Sequence, residues 1–293
     1  MVTIVERSFE AGAVSLNYAE AGTGAPVVLL HGGSSRWQHL ADLVRELADR
    51  WHTYAPDLRG HGRSSHAPRR YRLTDYADDL VAFLERRTGP AAVFGHSLGG
   101  QVAIVAAARR ADLFRALAIG DTPLSVSKLR PELKQRRPML SAWRGLAASG
   151  RTRDEIADAL RNMRVDFEGR SGRAQDLMAK DSRWFGFMAG CLRDLDPTML
   201  DAVIEFDEMH AGYDADRLLP AISCPALVIQ ADPAYGGGLS DDEVAIARSL
   251  LRDVGVARVA GAGHSRYLGR IAAVLNDFFS GNQLPAFRAR PPR

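Results

Sequence analysis

Two rhythms of apolar residues run along the chain. Residues 3–10 and 13–20 alternate apolar and polar positions on either side of Ala11-Gly12, which predicts an antiparallel hairpin. PVVLLH (26–31) is instead a continuous apolar run, the pattern of a strand buried on both faces. HTYAPD (52–57), AAVFGH (91–96), FRALAIG (114–120), PALVIQ (225–230) and residues 255–260 predict further strands. Between them the period lengthens. Leu40, Leu43, Val44 and Leu47 share one face of a helix expected over 37–49. Helices are also expected over 73–87, 98–110, 241–253 and 266–279, the first of these with Thr74 as N-cap and Asp75 in its first turn.

Strand–helix alternation on this scale argues an α/β fold, a mostly parallel eight-stranded sheet with helices on both faces. The alternation stops after the sixth strand. Residues 122–219 carry helical patterns and no convincing strand, so they read as a helical cap inserted where such sheets bind ligands, at a strand's C-terminal end. The expected organisation is a core of 1–121 and 220–282, a cap of 122–219 and a disordered tail of 283–293, where GNQLPAFRARPPR ends the chain without periodicity.

Composition narrows the function without choosing it. Lys plus Arg number 38 and Asp plus Glu 35, so the net charge of +3 is small for 293 residues and argues against nucleic acid or a membrane surface as partner. There is no run of 18 apolar residues, and the N-terminus lacks the pattern of a secretory signal, so a cytoplasmic location is expected. Cys191 and Cys224 form no Cys/His cluster, so no metal site is expected and two free buried thiols are the simplest account. A homodimer stays open.

The chemistry is concentrated at GHSLGG (95–100). Gly95-His96-Ser97-Leu98-Gly99 is G-x-S-x-G between a predicted strand and a predicted helix. A sharp turn there exposes the Ser97 hydroxyl at a helix N-terminus, whose dipole favours developing negative charge. His31-Gly32-Gly33 follows the third strand, Asp57-Leu58-Arg59-Gly60-His61-Gly62-Arg63-Ser64 follows the fourth, and Gly261-Ala262-Gly263-His264-Ser265 follows the last. In that order these motifs resemble the α/β-hydrolase superfamily, in its serine-nucleophile branch, over nearly the whole length. The resemblance implies Ser97 as nucleophile, His264 as base, and the backbone N–H groups of Gly33 and Leu98 as oxyanion hole. It also implies structural rather than catalytic roles for His31 and His61. His39, His52, His66 and His210 have no such context and read as surface or packing residues.

The triad acid departs from the usual pattern. Most members of the superfamily place it after the seventh strand as G-x-x-D, but here those positions are Ala231 and Ala234, with Asp232 falling early. Other branches place it after the sixth strand, where FRALAIGDTPL puts Asp121. Asp121 is the favoured acid and Asp232 the alternative. An aspartate before Pro123 also serves as a turn residue, so that use stays open.

A serine nucleophile separates the chain from aspartate-dependent dehalogenases and epoxide hydrolases of this fold and points to acyl transfer on an ester or lactone, with no cofactor. A carbon–carbon bond hydrolase or a perhydrolase would use the same three residues, and a non-catalytic small-molecule receptor on the same fold is the alternative from another class. WFGFM (184–188) has the composition of a pocket wall, and Trp37, His96, Trp184 and Met188 are its candidates. They suggest a moderately sized apolar ester or lactone as the small-molecule partner. The Gly236-Gly237-Gly238 run is expected to be flexible near the site.

Overall fold

The structure is a computed structural model, and it describes residues 2–167, 170–178 and 182–281. The hairpin forms as β1 (Val5–Ala11) and β2 (Val14–Ala21), paired antiparallel. It leads into β3 (Pro26–Leu30), α1 (Ala41–Leu47), β4 (His52–Pro56), α2 (Leu73–Phe83), β5 (Ala91–His96), α3 (Leu98–Arg109) and β6 (Phe114–Gly120). After β6 come α4 (Val126–Ala147), α5 (Arg153–Asn162), a two-stranded hairpin of β7 (Arg164–Phe167) and β8 (Arg170–Arg173), α6 (Ala174–Leu177), α7 (Ser182–Arg193), α8 (Pro197–Glu205) and α9 (Ala215–Leu218). The core resumes with β9 (Ala226–Ala231), α10 (Asp241–Leu250), β10 (Val254–Val259) and α11 (Ala272–Phe279).

The eight core strands form one sheet in the order β1-β2-β4-β3-β5-β6-β9-β10, parallel from β4 onward. The continuous apolar runs are explained by the period of two. Val28 and Leu30 face α2 and α3, while Val27 and Leu29 face α1 and α11. The same split divides Val93 from Phe94 in β5 and Val228 from Ile229 in β9. Both faces are therefore covered, which a parallel sheet requires.

Several expected elements are adjusted. The region 37–49 divides into a 3₁₀ turn, Trp37–Leu40, followed by α1, and 266–279 divides similarly into Arg266–Arg270 and α11. Thr74 is not the N-cap of α2. Arg72 is, two residues earlier, because Asp75 Oδ2 accepts its backbone N–H at 2.9 Å. The region between β6 and β9 is not purely helical either. β7 and β8 interrupt it, and their four-residue length and Arg-rich sequence leave no apolar run to read. Residues 283–293 lie outside the described residues. Both cysteines are free and buried, and no helix among the described residues is long and apolar enough to cross a membrane.

The segment between β6 and β9 is fastened to the core at several points. Arg36 pairs with Asp194 at 3.0 Å, the Tyr71 hydroxyl donates to Asp196 at 2.5 Å, and Glu243 at the start of α10 accepts the N–H groups of Leu124 and Ser125 at 3.0 Å each. These bonds set α4, α7 and α8 over the C-terminal ends of β5 and β6.

Candidate active site

Ser97 stands alone between β5 and α3, with φ 53° and ψ −116°. L-residues rarely adopt this conformation, and it costs of order 1–3 kcal/mol. The surroundings hold it there. The Ser97 N–H donates to Gly120 O at 3.1 Å, and its carbonyl accepts from Gly100 and Gln101 at 2.9 and 3.1 Å. The turn is so tight that a Cβ on Gly95 would lie 2.3 Å from the Gly99 carbonyl oxygen. Only glycine fits there.

His264 and Asp121 meet across 143 residues of chain. His264 Nδ1 donates to Asp121 Oδ2 at 2.6 Å, which leaves Nε2 as the acceptor of the ring. Asp121 is fully buried and accepts three backbone N–H groups as well, from Ala231 (3.0 Å), Gly238 (2.7 Å) and Leu239 (3.2 Å). Four donors around one carboxylate compensate its burial and fix its orientation. Like Ser97, it has positive φ, 42°. The third such residue in the region is Ser34, φ 54°, on the loop after β3. Strain of this kind gathers at functional sites.

Asp232 is turned elsewhere. Its carboxylate accepts from Ala234 N–H at 3.0 Å and from Gly261 N–H at 2.8 Å. It ties down the loop that carries His264 without touching the ring. The glycine run beside it is also tied: Gly238 N–H is held by Asp121, and a Cβ at Gly238 would lie 3.1 Å from His264 Nδ1. Gly237 and Gly238 allow close approach, while Gly236 takes a left-handed φ of 80°.

Gly33 and Leu98 face each other. A Cβ on Gly33 would be 3.7 Å from Leu98 Cδ2, and neither backbone N–H is taken by a carbonyl among the described residues. Two neutral histidines support this loop. His61 Nε2 accepts the Ser34 N–H at 3.2 Å while its Nδ1–H donates to Arg59 O, and His31 Nε2 accepts the Leu58 N–H at 3.0 Å. Burial holds His31 down at about 4 and His61 at about 3, so both stay uncharged acceptors. The Arg59 guanidinium is in turn clamped by both oxygens of buried Asp79 at 2.6 Å.

These groups open on a cavity of about 390 Å³ between the sheet and α4, α7 and α8. Gly33, Ser97, Leu98 and His264 line it from below, and Leu129, Leu133, Leu140, Trp143, Trp184, Phe187 and Met188 from above. Residues 184, 187 and 188 share the inner face of α7, while Phe185 packs into the interior of the cap. Of the four candidate wall residues, His96, Trp184 and Met188 line the cavity. Trp37 does not. Its N–H is held by Asp57 Oδ1 at 2.7 Å, and its ring packs into the α1 and α11 side of the core.

The cavity also contains residues that the sequence pattern did not mark. His39 and His210 line it, contrary to the expectation that they serve as surface or packing residues, and so does Arg136. Burial, then the neighbouring His264, pushes His39 down to about 4. Among the cavity histidines only His264 has a carboxylate on its ring. His96 Nδ1 meets the Tyr267 hydroxyl at 2.9 Å, and His210 Nδ1 donates to Phe206 O at 3.0 Å. His39 belongs to the loop after β3, eight positions past His31, and that distance was the one sequence signal that could have found it.

Known proteins share this architecture. N-formylmaleamate deformylase of Pseudomonas putida is 29% identical over 250 residues, 83% of each chain. 2-(Acetamidomethylene)succinate hydrolase of Mesorhizobium japonicum is 37% identical over 121 residues, covering 41% of this chain and 44% of that one. The enol-lactonase from Burkholderia xenovorans LB400 superposes with a TM-score of 0.69 at 20% identity, over 94% of this chain and 100% of that one, a likeness of fold. The sequence profile of the alpha/beta hydrolase family matches residues 27–276, through every core strand from β3 to β10. The chain belongs to the alpha/beta hydrolase family.

Proposed function

We propose that this protein is a serine hydrolase that cleaves a carboxylic ester or lactone through an acyl-enzyme. The observation that carries the reading is the pairing of His264 Nδ1 with buried Asp121 at 2.6 Å, with His264 lining the same cavity as the strained Ser97. A serine hydroxyl needs a base to become a nucleophile. His264 Nε2 is free to take its proton, because Nδ1–H is committed to Asp121.

In this reading Ser97 Oγ attacks the carbonyl carbon and His264 Nε2 takes the proton. Asp121 stabilises the resulting imidazolium. The carbonyl oxygen becomes an oxyanion held by the N–H groups of Gly33 and Leu98. The alcohol leaves with the proton from His264. Water, deprotonated by the same nitrogen, then cleaves the acyl-enzyme and releases the acid. The apolar wall of α4 and α7 holds the organic part of the substrate and excludes water. Asp232 acts in this account as a brace for the His264 loop.

An amide substrate is the second reading, favoured by the match to a deformylase over 83% of each chain. The steps are the same with an amine leaving. The test is initial rates on p-nitrophenyl butyrate and on the matched anilide, for wild type, Ser97→Ala and His264→Ala. Ester turnover that collapses in both variants supports the first reading. Turnover of the anilide alone supports the second, and rates unchanged by Ser97→Ala reject both.

A further inference from the structure

The wall that α4 presents to Ser97 is apolar except at one place. Leu129, Leu133, Arg136, Leu140 and Trp143 follow one another at intervals of three or four residues, so they share one face of the helix, and all five line the cavity. A guanidinium therefore sits in the middle of an apolar stripe. Arg136 is the one permanently charged side chain among the described residues lining the cavity, and no carboxylate lines it.

Three other cations of this helix have acidic partners, while Lys134 and Arg137 lie outside the cavity lining. Lys128 pairs with Asp242, Arg130 with Asp207 and Arg144 with Asp201. Arg136 has no such partner among the described residues. As a residue it is exposed while lining the cavity, which puts it at the cavity mouth. His39 and His96 supply no competing charge, since burial holds both below their ordinary value.

We propose that Arg136 is the recognition site for a carboxylate carried by the substrate at a distance from the bond that is cut. This rests on the hydrolase reading above and names its substrate class: half-esters and related acids with an apolar spacer. A planar guanidinium fork matches a carboxylate with two parallel hydrogen bonds, which gives geometric specificity as well as attraction. The same unpaired charge disfavours a cationic ligand and gives a neutral one nothing.

The test compares ethyl half-esters of straight-chain dicarboxylic acids, from succinate to suberate, with ethyl alkanoates of equal chain length. The readout is kcat/KM in wild type, Arg136→Gln and Arg137→Gln. Arg137 is an exposed neighbour that does not line the cavity. Wild type should prefer the half-ester by about tenfold or more at one or more lengths, the worth of one charge-assisted contact. Arg136→Gln should abolish that preference mainly through KM, and Arg137→Gln should keep it. The proposal is overturned if wild type shows no preference at any length, or if Arg136→Gln lowers both members of a pair equally. A second readout is independent of turnover: calorimetric titration of glutarate and adipate into Ser97→Ala, with and without Arg136→Gln. Binding weakened about tenfold by Arg136→Gln supports the site; binding that is absent or unchanged overturns it. Failure to cleave either ester rejects the ester reading, while the titration still decides the role of Arg136.

Discussion

Replacing Asp121 by asparagine keeps the shape of the side chain and removes its charge. The structure allows two placements, and both are costly. If the amide oxygen takes the Oδ2 position, His264 keeps its Nδ1–H donor, but the NH₂ group then faces the N–H groups of Ala231 and Leu239. Donor meets donor, and each orphaned pair costs about 1–3 kcal/mol. If the amide is flipped, its NH₂ faces Gly238 N–H and donates to His264 Nδ1. The histidine is then held in the tautomer with Nε2 protonated, and it cannot accept the Ser97 proton. The equivalent change in a serine protease costs about 10⁴ in kcat, or about 5.5 kcal/mol of transition-state stabilisation. We expect a loss of that order in kcat/KM on p-nitrophenyl butyrate, measured on protein whose circular dichroism and melting show it folded. Asp232→Asn is the matched control. It weakens one bond to Gly261 or Ala234 and should cost no more than about tenfold. A folded Asp121→Asn enzyme within tenfold of wild type, or a collapse in Asp232→Asn instead, would refute the reasoning.

Three further outcomes follow from the same geometry. Gly95→Ala drives a Cβ to 2.3 Å from the Gly99 carbonyl, so denaturant titration should show a loss of about 3 kcal/mol, or no folded protein at all; a stability within 0.5 kcal/mol of wild type contradicts the tight turn. Acid should destabilise the fold through His31 and His61, which stay neutral when folded and charge at their ordinary 6.5 once unfolded. Below that pH the unfolded chain binds more protons, so stability is full above 6.5 and drains as pH falls toward 4 for His31 and toward 3 for His61, with about 3 kcal/mol lost to His31 alone by pH 4. Urea midpoints that are flat from pH 7 to pH 4 would contradict this. Trp184→Ala enlarges the cavity on its cap side and should move the optimum acyl chain of p-nitrophenyl esters to greater length; an unchanged profile removes Trp184 from the pocket wall.

The sheet was legible because its inner strands are buried on both faces. That burial makes the runs in β3, β5, β6 and β9 predominantly apolar, with Arg115 and Gln230 as interruptions, and the strand–turn–helix around Ser97 needs glycines that stand out in sequence. The corrections have equally physical causes. β7 and β8 are four residues long and pair only with each other, so they have no core-facing run. Trp37 has the composition of a wall residue, but Asp57 captures its backbone and rolls the ring into the core. His39, His210 and Arg136 come from three distant segments that converge only in the folded chain. The strain at Ser34 and Asp121 was invisible because neither is glycine, and positive φ is normally signalled by glycine.

The central claim is that Ser97 is a nucleophile activated by His264. Incubation with a fluorophosphonate, followed by peptide mapping by mass spectrometry, tests it without knowledge of the substrate. One adduct per chain on the peptide that contains Ser97, absent in Ser97→Ala and formed far more slowly in His264→Ala, is the expected result. No adduct on folded wild type, or an adduct on another serine that survives Ser97→Ala, would contradict it.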